Sequence, residues 1–268
     1  RDSYTIPPHF EGQTVETYLR SLGYSHRLVV HLKNTPDGLL YNSEPVFSSH
    51  RLAAGGTLTT TIREAAPGYN VLPVRLPLSV IYEDEDILVV NKAAGVPVHP
   101  SQGHHDNTLA NAAAWYFAQK GEPFVYRAVS RLDRDTSGLL ALAKHMLSAC
   151  VLAGQMETRA IRRQYLAFVC GLAPEEGTVD TPIGRVPGSV IERQVDLEHG
   201  EPACTHYRRL LYNSERDLSL VRLRLETGRT HQIRVHMASI GHPLPGDFLY
   251  NPDYRHIARQ PLHSHRLE

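Results

Sequence analysis

Apolar positions along this chain recur with a helical period in some stretches and a period of two in others, and the switches between them outline two modules. In residues 14–22, Val15, Tyr18, Leu19 and Leu22 fall on one helical face and Gly23 ends the run. Ser25 stands at an N-cap position before a second helix, with Leu28, Val29 and Leu32 inward and Arg27 and Lys33 outward. Pro36, Asp37 and Gly38 form a turn signal, and short strands are expected at residues 39–42, 44–47 and 57–62. Residues 65–77 contain three prolines and a glycine, the composition of a linker. Beyond it the pattern predicts strands at 80–82 and 87–91, a helix at 108–119 closed by Gly121, strands at 124–129 and 139–143, and a helix near 145–157. In the next strand Tyr165, Ala167 and Val169 share one face while Leu166 and Phe168 take the other. Residues 178–209 are rich in turns, with strands at 193–197 and 204–209. Residues 219–226 set Val221, Leu223 and Leu225 against Leu220, Arg222, Arg224 and Glu226, the mark of a half-buried antiparallel strand. The stretch around His231 and His236 reads as strand, followed by a short helix.

These elements predict an α+β fold, with a mixed, largely antiparallel central sheet, flanking helices and a small N-terminal α/β module. The expected boundaries are 1–66 for the small module, 67–78 for the linker and 79–268 for the larger domain. No repeat or low-complexity tract interrupts them.

Composition narrows the class. A hydrophobic content of 41% with 21% charged residues describes a soluble globular chain, and no apolar run reaches the roughly 20 residues that span a bilayer. The three cysteines, Cys150, Cys170 and Cys204, lie far apart without paired spacing, which points away from a disulfide framework and toward the cytoplasm. The sequence opens on Arg1, so its natural start is expected to lie outside it. Formal charge is zero, yet residues 127–163 carry seven Lys or Arg against three Asp or Glu, while Glu83, Asp84, Glu85 and Asp86 form an acidic run. Such a basic stretch can steer a phosphate backbone.

Within that stretch, residues 131–144 read RLDRDTSGLLALAK, two carboxylates and two arginines followed by an apolar strand. Thr136, Ser137 and Gly138 supply hydroxyls and a permissive backbone for a tight turn. Asp133 and Asp135 can divide the work, one facing a pocket and the other tying the loop down. Upstream, NKAAGVPVHPS is a strand end broken into a constrained loop by Gly95, Pro97 and Pro100. A metal hydrolase would need clustered ligands, but His231 and His236 are five apart on the expected strand, and His104 and His105 sit on a loop with no third ligand. No GxSxG elbow or GxxxxGK[ST] phosphate loop occurs either.

Three separated blocks, RLDRDTSGLL, RQYLAFVCG and LETGRTHQIRVHMASIGHPLPGDFLY, with NKAAGVPVHPS ahead of them, together resemble the RluA-type family of RNA pseudouridine synthases. The helix–helix–strand order of the N-terminal module resembles, more weakly, the small RNA-binding domain of the ribosomal protein S-four type. The family resemblance implies isomerisation of uridine to pseudouridine in structured RNA, which requires no redox cofactor and no metal. It implies Asp133 as the catalytic carboxylate, acting as nucleophile or as base at the ribose. Arg229 matches the arginine that pairs with it, and a cation within about 4–6 Å favours the ionised acid. Tyr165 matches the family tyrosine that stacks on uracil. Asp135 is then left to hold the loop through Thr136 and Ser137. Arg131 matches the arginine that fills the RNA stack when the base leaves, Arg134 is expected at phosphate or solvent, and Arg20, Arg27, Lys33 and Arg51 are the candidates for RNA contact in the small module, with Arg27 and Lys33 foremost. Large-subunit ribosomal RNA is the expected target and transfer RNA the runner-up; a non-catalytic RNA-binding or ribosome-assembly protein on the same fold is the rival from another class. A monomer is expected. The chain departs from the family at Ser130, Ala93 and Arg163, where His, Pro and Lys are usual. The closing LHSHRLE resembles the start of a last strand region, so the chain is expected to end short of the family's usual length.

Overall fold

The structure, a computed structural model, describes residues 1–64 and 71–268, so the expected linker lies partly outside the described residues. The first module opens on β1 (Asp2–Thr5), which the sequence pattern did not announce. Then α1 (Val15–Ser21) and α2 (His26–Lys33) follow, their first turns capped by the Thr14 and Ser25 hydroxyls. Each such cap satisfies an otherwise orphaned amide and contributes about 1 kcal/mol. Next come β2 (Leu39–Tyr41), β3 (Glu44–Pro45) and β4 (Thr57–Thr60), which pair with the first strand in the order β1-β4-β2-β3. Val15, Leu19, Leu28, Leu32 and Leu58 fill the core between helices and sheet.

The larger part is built on an eight-stranded sheet. Its strands in chain order are β5 (Val80–Glu83), β6 (Ile87–Lys92), β7 (Ser137–Ala143), β8 (Arg163–Cys170), β9 (Glu176–Asp180), β12 (Cys204–Asn213), β13 (Leu218–Leu225) and β14 (Leu262–Leu267). A separate ribbon pairs β10 (Ile183–Arg185) with β11 (Arg193–Val195). The sheet order is β5-β6-β7-β14-β8-β13-β12-β9. Every neighbouring pair is antiparallel except β7 with β14. The helices are α3 (Leu109–Lys120), α4 (Met146–Glu157) and α5 (Gln232–Ser239). The core takes Leu88 and Val90 from β6, Leu140 and Leu142 from β7, Ala167 and Val169 from β8, and Val221 and Leu223 from β13, alternate residues of each strand as the pleat requires. Burying each leucine or valine side chain contributes about 1.5–3 kcal/mol.

Two expectations shift. The strand at 124–129 is reduced to a bridge at Ala128, with Val129 N–H donating to Ala141 and Ala143 N–H to Arg127. The stretch from Gln232 is helix, not strand: Gln232, Ile233, Arg234, Val235, His236 and Met237 are all buried. A helix buried on every side shows no amphipathic period, and its apolar–polar alternation imitates a strand. Among the described residues, no helix is long and apolar enough to cross a membrane.

The small module packs against α4. Met146, Leu147 and Cys150 join its core, the Ser25 hydroxyl lies 3.2 Å from Cys150 Sγ, and Glu64 accepts from Arg127 and from the Met146 N–H. The central strands β7, β14 and β8 put three chain segments side by side, and the pocket opens where their ends meet.

Candidate active site

Asp133 lies on the loop entering β7, where the Thr136 N–H donates to the Asp133 carbonyl at 3.1 Å and closes a turn. The turn is clamped from behind by Lys92, the last residue of β6. Its side chain is buried, and Nζ donates to the carbonyls of Ala93, Val96 and Arg134 at 2.9, 2.8 and 2.8 Å. Burial pushes the Lys92 ammonium down to about 8, although Asp135 and Asp133 pull the other way. Two residues from the approach to β14 complete the clamp: Arg259 donates to the Asp135 carbonyl and Gln260 to the Thr136 hydroxyl. Asp135 itself takes the guanidinium of Arg134 at 2.9 Å, so its carboxylate does not hold the loop through Thr136 or Ser137 as expected. Gly138 follows with φ of 113°, and a Cβ there would lie 2.2 Å from the Ser264 carbonyl oxygen. Only glycine lets β14 approach this closely.

The partner of Asp133 is Arg234. Its guanidinium donates to Asp133 Oδ2 at 3.0 Å, and on its other edge to both oxygens of Asp247 at 2.6 and 2.7 Å. The side chains of Arg234 and Asp247 are 1% and 0% exposed, against 26% for Asp133, so the chain of charges runs from the core to the pocket wall. Burial alone would lower the Arg234 pKa, but the two carboxylates outweigh it and the net shift is upward. The Leu249 N–H also donates to Asp247 at 3.0 Å. The expected pairing of Arg229 with Asp133 is therefore corrected. Arg229 sits in the loop before α5, where its guanidinium meets the Glu201 carboxylate and the Pro202 carbonyl. Arg234, in the first turn of the buried helix, is the residue aimed inward.

Tyr165 projects from the inner face of β8 and is 5% exposed. Burial pushes its phenol up, an effect that nearby Arg163 opposes and Asp133 reinforces. His231, at the helix N-terminus with φ of 58°, accepts from or donates to the Tyr250 hydroxyl at 2.9 Å. Burial pushes its imidazole down to about 4, so it is neutral at pH 7. Asp133, Tyr165, Arg229, Arg131, His231, Arg163 and Arg234 all line one small open pocket. A larger adjoining cleft is lined by Arg131, Arg134, Arg163 and Arg229 together with His99 and Glu226. Arg131 is exposed and reaches the Thr230 hydroxyl at 3.4 Å. Arg27 and Lys33 are exposed on α2, among neither the pocket nor the cleft residues.

The pocket thus brings together four positions singled out in the sequence, Asp133, Tyr165, Arg229 and Arg131, with Arg134 in the adjoining cleft. Sequence reasoning missed Arg234, Asp247, Arg163, Lys92 and His231 as site residues. No local signal marked the first two: Arg234 shares its helix with the polar Gln232 and His236, and Asp247 follows eight residues after the helix ends. An anionic carboxylate with one oxygen on a guanidinium, next to a buried phenol, under an arginine-lined cleft, suits chemistry on a polyanion's sugar.

Relatives point the same way. The family profile for "RNA pseudouridylate synthase" matches residues 86–239. The Bacillus subtilis protein named "Uncharacterized RNA pseudouridine synthase YjbO" is 41% identical over 255 residues, covering 95% of this chain and 89% of that protein. The "Ribosomal large subunit pseudouridine synthase D" of Pseudomonas aeruginosa is 35% identical, with 98% of this chain and 86% of that protein covered. Among solved structures, "Human RNA Pseudouridylate Synthase Domain Containing 1" superposes with a TM-score of 0.61 at 29% identity, over 71% of this chain and 78% of that one. With the profile spanning more than half of its length, the chain belongs to the RNA pseudouridylate synthase family and is an RNA pseudouridine synthase, an isomerase.

Proposed function

We propose that this chain isomerises uridine to pseudouridine in large-subunit ribosomal RNA, in the cytoplasm and as a monomer, with Asp133 as the group that reacts at the ribose. The observation that carries the reading is the asymmetry of the Asp133 carboxylate. Oδ2 is held by Arg234, whereas Oδ1 has no hydrogen-bond partner among the described residues, and Asp133 lines the pocket. In the reaction the bond between C1′ and uracil N1 breaks, the base turns, and a bond forms between C1′ and C5. The C5 proton then leaves and N1 regains one, so composition is unchanged. Two routes begin at Oδ1: attack on C1′ with a covalent intermediate, or removal of the C2′ proton.

Tyr165 offers its ring to the base. Arg131 fills the gap in the RNA stack, offsetting part of the few kcal/mol needed to extrude a nucleotide. Arg134 and Arg229 meet phosphates along the cleft, and Arg27 and Lys33 extend the contact to the small module. The large-subunit target draws on the relatives that carry that name.

Purified protein is expected to form pseudouridine in a cognate RNA, and Asp133→Asn to abolish this while RNA binding survives; full activity in that variant refutes the assignment. Mapping pseudouridines in total RNA with and without the gene tests the target. Loss from large-subunit ribosomal RNA supports it, and loss confined to transfer RNA overturns it.

A further inference from the structure

On the sheet face away from the core, Cys204 and His206 project side by side from β12, with Thr205 and Tyr207 turned inward between and beyond them. Glu226 lies directly across from Cys204, since Thr205 pairs with Leu225 and the Glu226 N–H donates to the Cys204 carbonyl. One thiol, one imidazole nitrogen and one carboxylate oxygen thus converge within 4.8 Å of one another. His206 Nε2 is 3.8 Å from Cys204 Sγ and 2.6 Å from Glu226 Oε1.

We propose that Cys204, His206 and Glu226 form a binding site for a borderline divalent cation of the Zn²⁺ class. A tetrahedral zinc with bonds of about 2.0–2.3 Å places its ligand atoms roughly 3.5 Å apart. The thiol–imidazole distance already matches, and the carboxylate oxygen needs to withdraw by less than about 1 Å from the imidazole. A sulfur, a nitrogen and a carboxylate oxygen are the donor set that zinc accepts and that Mg²⁺ or Ca²⁺ does not. On binding, the thiol proton and any proton shared by His206 and Glu226 pass to solvent as the metal bonds form.

The groups behind the ligands are also arranged as a metal site needs. The remaining imidazole nitrogen, Nδ1, is held by the Thr178 hydroxyl at 2.8 Å, which fixes the ring with Nε2 toward the other two ligands. Arg159 holds the second oxygen of Glu226 at 2.7 Å, and the Thr227 hydroxyl accepts from the Cys204 N–H at 3.0 Å. Asp180 faces Cys204 from β9 and adds negative charge. Because two ligands sit on one strand and the third directly follows its paired neighbour, tied to Cys204 by a main-chain hydrogen bond, little ordering remains for the metal to impose. With three protein ligands, a fourth position stays open to solvent beside the cleft that Glu226 lines.

The test is a Co²⁺ titration of the intact, metal-stripped chain. One equivalent is expected to give tetrahedral absorption bands together with a thiolate-to-cobalt charge-transfer band, which Zn²⁺ abolishes and a hundredfold excess of Mg²⁺ does not. Cys204→Ser is expected to lose the charge-transfer band and Cys170→Ser to keep it; Thr178→Val is expected to weaken Co²⁺ binding about 10–100-fold. Absence of the charge-transfer band at stoichiometric Co²⁺, or its persistence in Cys204→Ser, overturns the proposal. Circular dichroism of each variant establishes that the fold is retained.

Discussion

Replacing Arg234 by glutamine removes the one cation between two carboxylates, and its consequences for stability and for activity can be separated. Asp247, 0% exposed, would retain main-chain donors such as the Leu249 N–H but lose both guanidinium bonds. Stripping the partner from a buried charge costs about 3–5 kcal/mol. Against the roughly 5–15 kcal/mol that holds an ordinary domain together, Arg234→Gln should be strongly destabilised. Adding Asp247→Asn removes the stranded charge. The double variant should return to within about 2 kcal/mol of the parent, since replacing both members of a buried pair is often close to neutral.

The cycle formed with Asp247→Asn alone should therefore show a coupling of at least about 2 kcal/mol. Activity should not follow stability. In the refolded double variant Asp133 still lacks the guanidinium that faced Oδ2, and loss of such a preorganised electrostatic partner costs about 100-fold or more in turnover. Urea unfolding followed by circular dichroism measures the first quantity, and release of tritium from uracil C5 of a cognate RNA measures the second. An Arg234→Gln protein within 1 kcal/mol of the parent, or a stable double variant with full turnover, would refute the reasoning.

Three further outcomes follow from the same geometry. Lys92→Met leaves the Ala93 and Val96 carbonyls without their ammonium and the Arg134 carbonyl with only the Gly95 N–H, so stability should fall by about 1–3 kcal/mol for each carbonyl left buried and unpaired. Turnover should fall with it as the Asp133 loop loosens, which single-turnover kinetics on folded protein would detect; unchanged kinetics would remove Lys92 from loop positioning. His231 has a folded-state pKa of about 4, below its ordinary 6.5, so its contribution is complete above pH 6.5 and is lost as pH falls toward 4. At about 1.4 kcal/mol per unit this amounts to at most about 3.5 kcal/mol. His231→Gln should flatten that limb of the stability profile, and an unaltered limb would place the acid sensitivity elsewhere. Glu201→Gln frees Arg229 for phosphate, so RNA binding should tighten and its dependence on log salt steepen by up to about 0.9; a titration at several salt concentrations checks both.

The sequence carried the elements that bury one face and hid those that bury all faces or none. Helices with a capping residue and a glycine stop, such as α3 between Thr108 and Gly121, were legible within a residue or two, because cap chemistry is local. So were β8 and β13, where alternate residues face the core. By contrast α5 looked like a strand because its polar residues, Gln232, Arg234 and His236, are buried by specific partners rather than by exposure. The pairing of Arg229 with Asp133 came from the family resemblance and not from the strand reading; the helix presents Arg234 to Asp133 and leaves Arg229 on Glu201. The edge strands β1 and β9 carried too little alternation to register, since one is only four residues long and the other is mostly exposed.

The order of burial along Asp133, Arg234 and Asp247 suits the role proposed for Asp133, a carboxylate held on one side and open on the other. A single buried Arg–Asp133 pair would be close to neutral, and Asp133 would be drawn inward to satisfy all the guanidinium's donors. Asp247 takes two of those donors from below, at 2.6 and 2.7 Å, and so fixes the plane of the guanidinium before Asp133 is considered. Asp133 takes one further N–H at 3.0 Å, which orients Oδ2 and leaves Oδ1 unengaged. The triad carries a net charge of −1, and its excess sits on the only member with appreciable exposure, 26%. Arg131, Arg163 and Arg229 line the cleft beside it, and Arg229 is paired with Glu201 rather than with Asp133, so on the proposed function these arginines would attract a phosphate backbone while Arg229 leaves that charge in place. Burial below and exchangeable pairing above would thus separate the charge proposed to react from the charges proposed to bind.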